Sequence, residues 1–227
     1  MSLVHRALLC MRAYAGLGGL NRRTEKLADR HGELVAECFG YCDGFLAPVQ
    51  VPEEMVLLLE DVRKLAPKRI LEIGTCKGGS LYMWTRLASP DATIVSVDLP
   101  GGKYGGGYSR LRTPIYRRFA RAQQRLHLLR ADSHASGTFS EVKRLFGSEP
   151  VDFLFIDGDH TYEGVKQDWE MYSPLVRKGG LIVFHDVAGN YGETHAKRVW
   201  DDVKRGYAHR EYMFHPHGFY GIGVLSK

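Results

Sequence analysis

From residue 69 onward, short apolar runs alternate with stretches of helical periodicity, and no other feature of the chain constrains its fold as strongly. Runs at 69–73, 93–97, 126–130, 151–156 and 180–184 read as strands with helices between them. That order demands parallel strands joined by right-handed crossovers, hence an α/β, doubly wound, Rossmann-like sheet. The run VDFLFI at 151–156 is almost wholly apolar, as a central strand covered on both faces must be. A helix is expected at 196–205, then two last strands at 211–215 and 219–225 around a turn of Pro216, His217 and Gly218. Ahead of the sheet, 22–41 and 52–65 read as helices, with Pro52 suited to open the second. The chain therefore divides into an N-terminal helical extension or cap, 1–66, and a sheet domain, 67–227.

Bulk properties narrow the setting. The 227 residues are 44% hydrophobic and 25% charged, enough for an ordinary core. Arg6 and Arg12 interrupt the leading apolar stretch, so neither a membrane span nor a secretory signal is expected. Cysteines at 10, 38, 42 and 76 show no CxxC spacing, which reads as a reduced, cytoplasmic chain. Net charge is +5, with Arg110, Arg112, Arg117, Arg118, Arg121, Arg125 and Arg130 concentrating the excess. A solvated basic face is the favoured reading of that run, and attraction for an acidic substrate the sharper one. With Tyr116 and Phe119 alone interleaved, nucleic acid is disfavoured as a partner.

The turn from the first strand into the next helix is LEIGTCKGGS, residues 71–80, and the second strand ends at Asp98. A glycine-rich turn admits a ligand close to bare backbone, and an acid at the end of the neighbouring strand can accept from two ribose hydroxyls. The dinucleotide fingerprint would place a glycine at position 76, which is Cys76, so pyrophosphate is not the favoured ligand. What remains is Glu72-x-Gly74-x-x-x-Gly78 followed by Asp98.

With those residues the chain resembles the class I S-adenosylmethionine (SAM) methyltransferases. The resemblance covers about two-thirds of the chain and implies a seven-stranded sheet of order 3-2-1-4-5-7-6 with an antiparallel last strand. It implies SAM as cofactor, with Gln50, Glu72, Gly74, Thr75, Gly78, Ser80, Asp98, Asp132, Ser133 and Asp157 as its binding residues. Phe45, Val49 and Gln50 would roof the methionine end, and Asp132 would meet the adenine amine. Asp132, Ser133 or Ser136 also suits as a cap for the helix ending near Phe146. The loop at 100–109, PGGKYGGGYS, reads equally as a substrate lid carrying Tyr104 and Tyr108 or as a plain connector.

Ligands of such sheets gather beyond the carboxyl ends of the strands. There the fourth strand offers Asp157-Gly158-Asp159-His160 and the fifth His185-Asp186. If the two strands are neighbours, Asp157, His185 and Asp186 could share a divalent cation, with the histidine an unusual ligand for magnesium. This constellation resembles the metal-dependent small-molecule O-methyltransferases, of catechol and caffeoyl-CoA type and, more closely, those acting on sugars and macrolides, together with the cephalosporin-hydroxylase-like group. In them an acid ends the fourth strand, an acidic or acid-amide pair ends the fifth, and a general base stands three residues past the first acid. Those positions here are Asp157, His185 with Asp186, and His160. Asp157 and His160 are thus the catalytic candidates, and a hydroxylated small molecule is the implied acceptor. Asp159 reads as an N-cap for a helix at 160–172, while Tyr162, Tyr191, His195 and Trp200 could shape the pocket. The N-terminal extension makes a homo-oligomer plausible.

Overall fold

The computed structural model describes residues 3–102, 107–121, 123–189, 195–215, 218 and 220–227. Tyr104, Tyr191, Pro216 and His217 therefore lie outside the described residues.

Seven strands form one sheet in the order β3-β2-β1-β4-β5-β7-β6. They are β1 (Arg69–Ile73), β2 (Thr93–Val97), β3 (Arg125–Leu129), β4 (Val151–Ile156), β5 (Val176–His185), β6 (Ala208–Tyr212) and β7 (Ile222–Ser226). The first five run parallel, while β7 pairs antiparallel with both β5 and β6. This is the doubly wound order expected, with the last strand reversed. Strands β1, β2 and β4 are buried nearly throughout, which explains why they are apolar but for Arg69, Glu72, Thr93, Ser96 and Asp152.

Helices α4 (Gly79–Leu87), α5 (Thr113–Arg117), α6 (Ser136–Phe146), α7 (Tyr162–Tyr172) and α8 (Ala196–Val203) follow β1 through β5. Ahead of the sheet stand α1 (Leu3–Thr24), α2 (His31–Gly40) and α3 (Pro52–Leu65). One apolar cluster joins α1, α2 and α3 to α4 and one sheet face, and a second fills the other face beneath α6, α7 and α8. In the first, Trp84 meets Phe153 and Phe155 edge-on at 5.0 and 5.5 Å, and all three rings are fully buried. Truncating a ring so placed costs about 3–5 kcal/mol.

Several elements differ from the sequence reading. The expected helix at 22–41 is the end of α1, a break at residues 25–30, and α2. Strand β6 lies three residues earlier than expected, and β5 begins four residues earlier. Pro52 does open α3, which ends on Ala66 in the left-handed conformation. Among the described residues no helix is long and apolar enough to cross a membrane.

Candidate active site

The β1–α4 turn is held from below as much as shaped by glycine. Gly74 has φ +97°, and a Cβ there would lie 2.0 Å from the Asp157 carbonyl oxygen, so the residue lets the ends of β1 and β4 close on each other. Cys76 stands where the fingerprint wants glycine and still holds φ +45°. Arg112 donates to the Lys77 carbonyl at 3.2 Å and the Tyr116 hydroxyl to the Cys76 carbonyl at 3.1 Å, which fixes that backbone. Residues 45–50 lie across the start of α4, where a Cβ on Gly79 would meet Leu46 O at 2.0 Å and Pro48 Cδ at 2.7 Å.

Glu72 is fully buried and accepts from Ser80 Oγ at 2.6 Å, Trp84 Nε1 at 2.8 Å and Ser96 Oγ at 2.6 Å. Burial pushes its pKa up to about 7 against those three hydrogen bonds. Both oxygens are thus engaged by α4 and β2, and Glu72 with Ser80 braces the turn. Thr75 is buried as well, its hydroxyl 2.5 Å from Ser96 Oγ. Gly78 caps α4 in the left-handed conformation, with the Tyr116 ring where a Cβ would be.

Asp98 continues the β2 ladder through its N–H to Leu129 O. Its Oδ2 accepts the Tyr108 backbone N–H at 2.8 Å, and burial raises its pKa. Tyr108 itself is buried against Tyr116, ring centroids 5.0 Å apart, so that end of the glycine-rich loop is anchored on the acid. A cavity of about 320 Å³ opens here, lined by Gly74, Asp98, Asp132, Ser133, His134 and Asp159 among others, within the size range of small-molecule sites. A larger groove of about 730 Å³ runs between α1 and α2. Its Arg12, Arg23 and Arg30 pair with Asp43, Glu37 and Glu33, and it lies away from the strand ends, so it is not the site.

At the ends of β4 and β5 the acids and histidines converge. Asp157 N–H bonds Ile73 O, holding this residue at the rim, and Gln50 Nε2 donates to its Oδ2 at 2.9 Å. His185 is buried with Nδ1 3.0 Å from Asp157 Oδ1 and 3.2 Å from Asp186 Oδ1. Burial opposes its charge, yet the two carboxylates outweigh it and its pKa rises to about 9. Asp186 takes φ +61°, an uncommon conformation outside glycine that asparagine and aspartate tolerate best, and it turns the chain so that Oδ2 meets His160 Nδ1 at 2.5 Å. For His160, burial again works against the charged form, and Asp186 and Asp157 raise its pKa regardless. Among the described residues no group of three or more His, Cys, Asp or Glu side chains is arranged to hold a metal ion. Asp157, His185 and Asp186 instead pair with one another.

The remaining expectations find other geometry. The cap of α7 is Thr161, whose side chain accepts from Gly164 N, while Asp159 accepts from Thr161 N just upstream. Helix α6 has no side-chain cap, and Asp132 accepts from His134 N at 2.9 Å. Trp200 is core, with Nε1 donated to Glu211, and Tyr162 reaches Asp202. The arginine run is largely structural: Arg112, Arg118 and Arg121 donate to backbone carbonyls of Phe45, Tyr14, Thr85 and Ala88. Sequence reasoning missed Glu54, fully buried on α3, which accepts from Phe214 N at 2.8 Å and Gly221 N at 3.1 Å and so ties the turn after β6 to the site. It also missed Asp168, although an acid in the stripe of Val165 and Tyr172 on α7 was a visible signal.

A sheet of this order, a glycine turn facing an acid on β2, and an acid–histidine corner on β4 and β5 define a class I methyltransferase. A family model described as a methyltransferase domain matches residues 71–187, over half of the chain, and the chain belongs to that family. An uncharacterized protein of Sinorhizobium fredii, y4gI, is 30% identical over 169 residues, covering 72% of this chain and 18% of that protein. The chain spans less than a fifth of the length of the curated relatives it matches. Among solved structures, the O-methyltransferase TomG of Streptomyces achromogenes aligns over 87% of this chain and 90% of its own, at 18% identity and TM-score 0.57. An O-methyltransferase of Bacillus cereus aligns over 93% of this chain and 100% of its own, at 18% identity and TM-score 0.57.

Proposed function

We propose that the chain transfers a methyl group from S-adenosylmethionine to a hydroxyl of a small molecule, with His160 taking the proton. The observation that carries this reading is the His160–Asp186 pair at the strand ends beside the donor cavity. The Streptomyces and Bacillus proteins are described as O-methyltransferases in complex with SAM and with S-adenosylhomocysteine (SAH), which supports the donor and the acceptor atom.

The residues present fit the donor. Asp98 offers a carboxylate for ribose hydroxyls, Asp132 and Ser133 wall the far end of the cavity, and Gly74 leaves its floor without a side chain. Thr75 and Gly78 shape the turn beneath, while Gln50 and Asp157 stand where the amino-acid end would lie. When bound, SAM supplies a methyl group already activated by its sulfonium charge. The protein has only to align a nucleophile and remove its proton. His160 suits that task because Asp186 engages Nδ1, which fixes the orientation of the ring at the strand ends. Asp186 orients and polarises the ring as the acid of a catalytic dyad does.

A divalent cation does not fit the corner as it stands. One oxygen each of Asp157 and Asp186 faces His185, and the others face Gln50 and His160. The buried imidazole supplies positive charge between the acids, and no step here passes through a metal. Transfer to nucleic acid is less well supported, since much of the arginine run is committed to backbone carbonyls.

The test is methyl transfer from labelled SAM to catechol and to methyl glycosides, with wild type and His160→Gln. Transfer lost in the variant with SAH affinity kept is expected. Full activity in His160→Gln, or methylation confined to nucleic acid, would overturn the reading.

A further inference from the structure

Behind the wall that Asp132 and Ser133 give the cavity lies a pair that the proposed chemistry does not use. Asp168 lies on α7 with no solvent exposure, and a carboxylate so placed is costly unless matched. Its match is His134, whose Nε2 is 3.2 Å from Asp168 Oδ1 and 3.2 Å from the Gly164 carbonyl. The backbone around His134 is fastened in turn. Its N–H donates to Asp132 Oδ1 at 2.9 Å, and Tyr172 on α7 donates its hydroxyl to Ser133 O at 2.6 Å. Asp132, Ser133 and His134 all line the cavity. Asp168 also abuts the acid loop, since a Cβ on Gly158 would lie 3.7 Å from its Oδ2. One buried carboxylate thus touches the segment walling the cavity and the segment carrying Asp157 and His160.

We propose that His134 and Asp168 are positioning residues for the donor, a buried ion pair that holds residues 131–134 against the nucleoside end of the cavity and releases them when His134 loses its proton. The inference rests on reading that cavity as the SAM site. The charges facing the pair are acidic, Asp132 from its own segment and Asp159 from the β4–α7 loop, while the Tyr172 phenol on α7 stays neutral because burial raises its pKa. The close Asp168 carboxylate raises the His134 pKa over the opposing effect of burial, and burial raises that of Asp168. The charged pair is therefore intact below the raised histidine pKa and lost as pH rises through it. Asp168 then faces Asp132 and Asp159 without a counterion.

The test is calorimetric titration of the full chain between pH 6.5 and pH 9, with SAH and with 5′-methylthioadenosine, which carries the nucleoside end without the titrating amino acid. Wild type should lose roughly tenfold in affinity for methylthioadenosine across that range, the equivalent of about one pKa unit of coupling. His134→Gln should bind more weakly at pH 6.5 and show a flat profile, and Asp168→Asn should be flat as well. His134 is partly exposed, so its variant decides the matter if Asp168→Asn fails to fold. A wild type without pH dependence, or a His134→Gln that keeps it, overturns the proposal and leaves the donor site standing. A wild type that binds SAH at no pH overturns the donor site instead.

Discussion

His160 Nδ1 lies 2.5 Å from Asp186 Oδ2, where β4 and β5 end side by side. The contact raises the histidine pKa and lowers that of the aspartate, against burial in both cases. A base must be neutral to accept a proton, so turnover should climb with pH through a midpoint above the ordinary histidine value of about 6.5. Asp186→Asn keeps the shape and removes the charge. Its midpoint should move to lower pH and its rate fall by about 10²–10⁴-fold, the usual worth of positioned acid–base catalysis. A kcat–pH profile checks both, and an unmoved midpoint in Asp186→Asn would remove His160 from the role.

His185 is the cation between Asp157 and Asp186. Its folded pKa of about 9 lies above the unfolded value, so its stabilisation is complete below about pH 6.5 and fades as pH rises through 9. Thermal denaturation should show the midpoint declining over that interval. His185→Gln removes the cation between the half-buried Asp157 and the buried Asp186, and since Asp186 keeps His160 the loss should be about 2–4 kcal/mol, below that of a fully buried pair. Equilibrium urea unfolding at pH 7 measures it.

The same pairing bears on metal. With Asp157 and Asp186 already engaged by His185, His160 and Gln50, exhaustive chelation should change transfer to catechol by less than about twofold, below what loss of a Lewis acid would cost. Activity that vanishes with chelator and returns with magnesium would show that the acids re-pair around an ion.

Much of this was legible in the sequence, and the exceptions have physical reasons. Strands β1 and β4 could be read because burial on both faces leaves a mostly apolar signature, whereas the sheet order followed from the resemblance that the β1–α4 turn and Asp98 carry. Strand β6, AHREY, lies at the sheet edge with its first four residues exposed, so no apolar alternation fixes its register. The front of α1 was hidden for a related reason: Val4, Leu8 and Met11 are exposed, and arginines and glycines interrupt the rest. Arginine roles were not readable at all, because a guanidinium bonded to a distant carbonyl leaves no local pattern.

Asp98 should prove the largest single contributor to donor affinity. Its carboxylate is held by the Tyr108 N–H and faces the cavity. Hydrogen bonds to a charged group are worth about 1.5–3 kcal/mol, so Asp98→Ala should weaken SAH binding by roughly 10- to 100-fold. Calorimetry reads this directly, and wild-type affinity in the variant would move the nucleoside elsewhere.

Glu72 tests whether an acid in a cofactor motif touches the cofactor or holds the motif in shape. Oε1 accepts from both Ser80 and Trp84, and Oε2 from Ser96, whose hydroxyl also meets Thr75. In Glu72→Gln the amide oxygen can keep Ser80 and Trp84, while the new NH₂ donates to Ser96 and that serine turns its proton to Thr75. Each partner keeps a hydrogen bond, but the buried Thr75 proton loses Ser96 as its acceptor, so the loss should be about 1–3 kcal/mol, with SAH affinity retained. Glu72→Ala leaves Trp84 Nε1 without an acceptor beside a cavity and should cost about 2–4 kcal/mol. A folded Glu72→Gln that no longer binds SAH would make Glu72 a direct contact, because the bracing network survives that substitution and a ligand hydrogen bond to the carboxylate does not.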